Sequence, residues 1–197
     1  MTSPARIERH RRIADAVRAL VAEQGLRLSM EAVAARAGCS KQTLYTNYGN
    51  KQELVRRVII DRLDATAARW DADKHDLRTA LLTFAVDHLE YLASENTVAA
   101  RRLILAESRR YADEASALFD LAIEGLHRQL AARLHTAIRQ GQLRDGDAGA
   151  MAEMLLSMIA GLDVERRHFG DGQRESGQAR ADWATFAVDA FLRAFAA

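Results

Sequence analysis

Apolar residues recur every three to four positions along almost the whole chain, and nowhere do they alternate as a strand requires. Ile13, Val17, Leu20 and Val21 fall on one face of a helix over residues 6–24, which Gly25 ends as a left-handed C-terminal residue would. Ser29 precedes the run Met30, Val33, Ala34 and Ala37 and suits an N-cap, and Gly38 closes that run. Ser40 caps a helix over 41–48, Gly49 closes it, and Asn50 caps a longer helix from Lys51. The apolar stripe of that longer helix, Leu54, Val55, Val58, Ile59 and Leu63, runs on towards Trp70. Further periodic runs predict helices over 76–94, 97–109, 113–140, 148–167 and 180–196, with GDGQRESG as a loop before the last. The expectation is an all-α chain of about nine helices.

Ser29 to Leu54 carries the densest punctuation: three caps and two glycine stops around two short helices joined by a tight turn. A second short helix held at a steep angle to the first is the shape that enters a DNA major groove. Charge supports a polyanion partner for this end. Residues 1–60 hold eleven Lys/Arg against five Asp/Glu, whereas the remainder holds seventeen against twenty-two, on a chain whose net charge is +1. A domain boundary is therefore placed near residue 60, with a head over 1–60 and a larger helical body over 61–197. The helix from Lys51 belongs to both.

Other classes find less support. Cys39 is the sole cysteine, so no intramolecular disulfide forms. No apolar run approaches eighteen residues and MTSPARIERHRR is not a signal sequence, so a cytoplasmic protein with no membrane partner is expected. Six scattered histidines with no HxxxH or CxxC spacing predict no metal site and no cofactor. Nucleophile–base pairs, paired carboxylates and phosphate loops are also missing, which argues against an enzyme. The alternative is an all-helical carrier or adaptor for apolar ligands without DNA binding.

The stretch GCSKQTLYTNYGNKQEL, residues 38–54, closely resembles the DNA-binding domain of TetR-type transcriptional regulators. It has the glycine-and-serine turn, Thr-Leu-Tyr, an aromatic three residues on, and a lysine at the next helix start. RRLILAESRRYADEASALFD resembles the branch of regulatory domains named after the AefR regulator. Cys39 stands where an aliphatic residue is usual and is expected to serve as a small apolar plug between the short helices. Gln52 stands where glutamate is common.

The resemblance implies roles by position. Lys41, Gln42, Tyr45 and Asn47 would lie near base edges, where Gln42 can take adenine bidentately and Lys41 can donate to guanine. Thr43, Tyr48 and Lys51 would hold phosphates, helped by the helix start at Asn50-Lys51, with Ser29 doing the same at the preceding helix. It also implies a homodimer on a palindromic operator, paired through the last two helices. Met151, Met154, Leu155, Met158, Ile159 and Leu162 form one apolar face there, and Trp183, Phe186, Ala187, Ala190 and Phe191 the other. A repressor released when a small-molecule effector binds is the family's default. Phe84, His88, Tyr91, Glu107, Tyr111 and Phe119 are candidates for the effector site, since aromatic and ionisable groups there interrupt apolar faces.

Overall fold

A computed structural model describes residues 4–72 and 76–197, with backbone only for 70–72, so the side chain of Trp70 lies outside the described residues. Among them are ten α-helices, one 3-10 turn and no strand. The helices are α1 (Pro4–Gln24), α2 (Met30–Ala37), α3 (Lys41–Tyr48), α4 (Lys51–Ala72), α5 (Leu77–Ala93), α6 (Glu95–Glu107), α7 (Ala112–Arg139), α8 (Ala148–Ala160), α9 (Asp163–His168) and α10 (Gly177–Phe195). The 3-10 turn Gly25–Arg27 follows α1. No helix among the described residues is long and apolar enough to cross a membrane.

The predicted caps form. Ser29 Oγ accepts the Ala32 N–H at 3.2 Å, Ser40 Oγ the Thr43 N–H at 3.0 Å, and Asn50 Oδ1 the Glu53 N–H at 2.8 Å. Each satisfies a donor that the first helical turn leaves without a carbonyl. Gly38 adopts φ +63° at the end of α2, and its N–H reaches back to the Ala35 carbonyl. A side chain there would meet the left-handed penalty, so the turn between the short helices depends on glycine. Pro4 starts α1 two residues earlier than the apolar pattern does, because proline suits the first helical position.

The helix predicted over 148–167 is two helices. Gly161 takes φ +54° with an extended ψ and breaks the ladder after Ala160. The Trp183 ring lies so close to Gly161 that an added Cβ would stand 3.0 Å from it. The last helix begins at Gly177, because Ser176 caps it inside the stretch predicted as loop.

Packing divides the chain into two units: the chain up to Arg62 together with Glu95–Leu121, and Leu63–Ser94 together with Ala122–Ala197. In the first, Ile13, Val17 and Leu20 of α1, Val33 of α2, Leu44 of α3 and Leu54 and Val58 of α4 share one buried core. Cys39 and Tyr48 pack partly buried against it, as the plug reading of Cys39 expects. Helix α6 lies along α1 in the same unit.

In the second unit α10 packs on α5 and α8. Its corner is built around Asp163, which is buried. One carboxylate oxygen accepts the Gln173 N–H at 2.8 Å and the Arg174 N–H at 3.2 Å, and the other accepts Arg167 Nε at 2.8 Å. Arg174 then lies over the Trp183 ring at 3.8 Å, and Trp183 Nε1 donates to the Ile159 carbonyl at 2.8 Å.

Candidate nucleic-acid interface

Leu44 anchors α3. It is fully buried in the head core, so the opposite side of the helix faces outward. At 3.6 residues per turn that outward side is centred on Gln42 and Thr46, which stand one above the other. Lys41 and Tyr45 flank it on one side and Thr43 and Asn47 on the other. Gln42, Thr46 and Asn47 are exposed, and Tyr45 is 47% exposed, a large share for an aromatic ring. Thr46 is absent from the residues singled out in the sequence, although its rotation relative to Leu44 is the signal that finds it.

Several of these groups already have partners within the protein. Lys41 Nζ pairs with the Glu31 carboxylate, and this contact holds Glu31 below the usual carboxylate range and lifts Lys41 above its own. Asn47 Nδ2 donates to the Thr43 carbonyl at 2.6 Å, and the Thr43 hydroxyl lies 2.8 Å from Ser40 Oγ. Lys51 Nζ donates to the Leu26 carbonyl at 3.1 Å. Its two remaining N–H groups are enough for a phosphate. Ser29 is half-buried, its oxygen engaged as the α2 cap.

Tyr48, at the end of α3, is half-buried, and its hydroxyl lies 2.7 Å from His10 Nδ1 on α1. His10 Nε2 is 2.5 Å from Asp61 Oδ2 on α4, and Arg57 Nε is 3.0 Å from Asp61 Oδ1. The two rings stack with centroids 6.0 Å apart. This line of polar groups was invisible in the sequence, where its members are separated by 38 and 51 positions.

The effector residues proposed from sequence are divided between the units. Phe84, His88 and Tyr91 belong to the second and form a ladder of stacked rings along α5, with centroids 5.7 and 6.5 Å apart. Of the six, only Phe84 lines a small cavity in that unit, which Thr66, Ala67, Leu126, Gln129, Leu130 and Arg133 complete. Its volume, about 20 Å³, suits one water rather than an effector, whose pockets span about 300–1,000 Å³. Glu107, Tyr111 and Phe119 belong to the first unit. The Glu107 carboxylate accepts the Leu26 N–H at 3.2 Å and pairs with Arg27 Nε at 2.8 Å. Tyr111 is half-buried under the Arg110 guanidinium, and Phe119 is half exposed.

The residues proposed for dimer contact also separate. Met151, Leu155, Ile159, Ala187 and Phe191 are buried in the subunit's own core and present nothing to a partner. These five side chains supply the apolar face that both helices need to pack on each other and on α5. Met158, Trp183 and Ala190 are half-buried. Met154, Leu162 and Phe186 are 49%, 65% and 59% exposed.

A head of this geometry, a short outward-facing helix locked at its turn to a second short helix, defines a helix-turn-helix DNA-binding protein. The family comparisons agree. Residues 13–58 match the model of bacterial regulatory proteins of the tetR family, and residues 79–197 match that of the AefR-like transcriptional repressor C-terminal domain. The chain belongs to the TetR family of transcriptional regulators and is a DNA-binding regulator of transcription. It is 24% identical over 163 residues to the uncharacterized HTH-type transcriptional regulator YvkB of Bacillus subtilis, covering 82% of this chain and 85% of that one. Among solved structures it resembles a TetR transcriptional regulator from Agrobacterium tumefaciens, with TM-score 0.72 and 25% identity over 99% of this chain and 96% of that one. It also resembles the flavonoid-responsive regulator FrrA, with TM-score 0.65 and 27% identity over 95% and 97% of the two chains.

Proposed function

We propose that the chain acts as a homodimeric repressor that leaves a palindromic operator when a small molecule binds its body. The observation that carries the DNA-reading part is the outward face of α3, set opposite the buried Leu44. Gln42 takes adenine and Lys41 guanine, Tyr45 and Asn47 border them, and the Thr46 methyl meets a thymine methyl. Thr43, Tyr48, Lys51 and Ser29 hold the backbone. DNA binding is assigned to residues 1–60 and regulation to residues 61–197.

One head touches few base pairs, so two are needed, about one helical turn of DNA apart. The exposed Met154, Leu162 and Phe186, with the half-buried Met158, Trp183 and Ala190, supply the partner surface. The effector enters between α4, α5 and α7 where Phe84 lines the small cavity, and the side chains around it part to admit it. Helix α4 runs through both units, so a ligand that prefers one setting of it shifts the heads between DNA-competent and incompetent states. FrrA is named for its response to flavonoids, which makes planar aromatic compounds the first effectors to try.

Gel shifts on the DNA upstream of the chain's own gene, with and without a flavanone, test the proposal. Retardation by a species of dimer mass, reversed by ligand, is the expected result. A carrier or adaptor would retard no DNA, and a monomeric complex would remove the dimer.

A further inference from the structure

The His10 line carries an inference about proton placement. An ionised carboxylate can only accept hydrogen bonds, so His10 Nε2, 2.5 Å from Asp61 Oδ2, must carry a hydrogen. In the neutral imidazole the other nitrogen, Nδ1, is then a bare acceptor. Tyr48 meets it at 2.7 Å and must spend its single hydroxyl hydrogen there. What the phenol oxygen then offers outward is lone pairs, and a phosphate oxygen, which also only accepts, gains nothing from them. When the imidazole gains a second proton, Nδ1 becomes a donor and the Tyr48 oxygen accepts from it. The hydroxyl hydrogen is released to turn towards DNA.

The charged and titratable groups around the phenol come from every neighbouring element: Arg6 and His10 from α1, Cys39 from the turn before α3, and Arg57 and Asp61 from α4. Burial, with Asp61 adding, pushes the Tyr48 phenol above its ordinary value, so it keeps its hydrogen in either state of His10.

We propose that His10 is a positioning residue for DNA binding: its protonation converts the Tyr48 hydroxyl into an outward donor, so each protomer takes up a proton at His10 as it binds the operator. The proposal rests on the reading of Tyr48 as a phosphate contact. Because the donor state is the one phosphate prefers, DNA and the proton strengthen each other's binding by the same factor.

The test is operator affinity of the full chain, by fluorescence anisotropy from about pH 8 to about pH 6, for wild type, Tyr48→Phe and His10→Gln. Wild type should tighten roughly three- to tenfold per protomer as pH falls, and both variants should show a flatter profile. Tyr48→Phe should also bind more weakly at low pH. If Tyr48→Phe binds like wild type at every pH, the phosphate reading fails and the proposal with it. If Tyr48→Phe weakens binding but His10→Gln keeps the full pH dependence, the phosphate reading stands and the proton coupling is overturned. Nitrogen NMR of the wild-type imidazole needs no variant: it should show hydrogen on Nε2 alone in the free protein near pH 8, and on both nitrogens in the operator complex. A bare Nε2, or an unchanged tautomer in the complex near neutral pH, would overturn it as well.

Discussion

Glu107, the last residue of α6, accepts the backbone N–H of Leu26 at 3.2 Å, while Lys51 at the start of α4 donates to the carbonyl of the same residue. One residue of the turn after α1 is thus gripped from two helices. The approach is possible because residue 25 has no side chain. Gly25 sits at φ +59°, and a Cβ there would stand 2.6 Å from Glu107 Oε2 and 3.2 Å from Leu103 Cβ.

Gly25→Ala should therefore destabilise the protein by about 1–3 kcal/mol, from left-handed strain and from displacement of the Glu107 carboxylate. Chemical denaturation against wild type measures it. A change within about 0.3 kcal/mol would mean that the turn relaxes freely.

Lys51→Ala should weaken binding to every DNA sequence and reduce the salt slope by about one unit, whereas Gln42→Ala should change base preference at one half-site position. Titrations across salt and operator variants separate the two. An unchanged slope for Lys51→Ala would confine that lysine to its Leu26 contact.

Leu44→Ala should cost about 2–5 kcal/mol, since the side chain is fully buried where α3 meets the head core. The midpoint of thermal unfolding should fall and operator binding should fail first as temperature rises. Thr46→Ala, on the outward side, should leave the midpoint unmoved and alter only sequence preference.

Burial alone would raise the Asp163 carboxyl, but the backbone N–H groups of Gln173 and Arg174 and the Arg167 guanidinium together hold it below the usual carboxylate range. A lowered value in the folded state adds stability that is complete above the ordinary aspartate range and is lost as pH falls through the folded value. Asp163→Asn should then cost about 2–4 kcal/mol at neutral pH. The gap to wild type should narrow below about pH 4, which urea unfolding at several pH values would show.

Phe186→Glu should shift the protein towards monomer in sedimentation without loss of helix content, because the ring is exposed in the single chain. An unchanged dimer mass would move the partner surface elsewhere.

The head was legible because its signals are local. A serine or asparagine oxygen caps the N–H three residues on, and a glycine turns left-handed at the next stop, so Ser29, Gly38, Ser40, Gly49 and Asn50 could be placed without knowing the rest. The break at Gly161 was not legible, since the apolar period runs straight through it and the Trp183 ring packed against it comes from another helix. The faces of α8 and α10 could be recognised as apolar, but periodicity does not say whether Leu155 faces its own subunit and Met154 the outside. The Glu107 grip and the His10 line join residues far apart in the chain through single polar atoms. Such contacts leave no repeating pattern.

The pairing of Lys41 with Glu31 bears on how strongly that lysine can contribute to the proposed complex. Any DNA that recruits Lys41 must first part it from an acid already seated on it. A site with guanine acceptors in the right place would replace what Glu31 gave, whereas a complex held by phosphates alone could leave the pair intact. On the proposed reading the carboxylate is thus a resident competitor whose cost falls on every complex that uses the lysine. It would temper grip on DNA and leave the choice among bases to the acceptors that take its place.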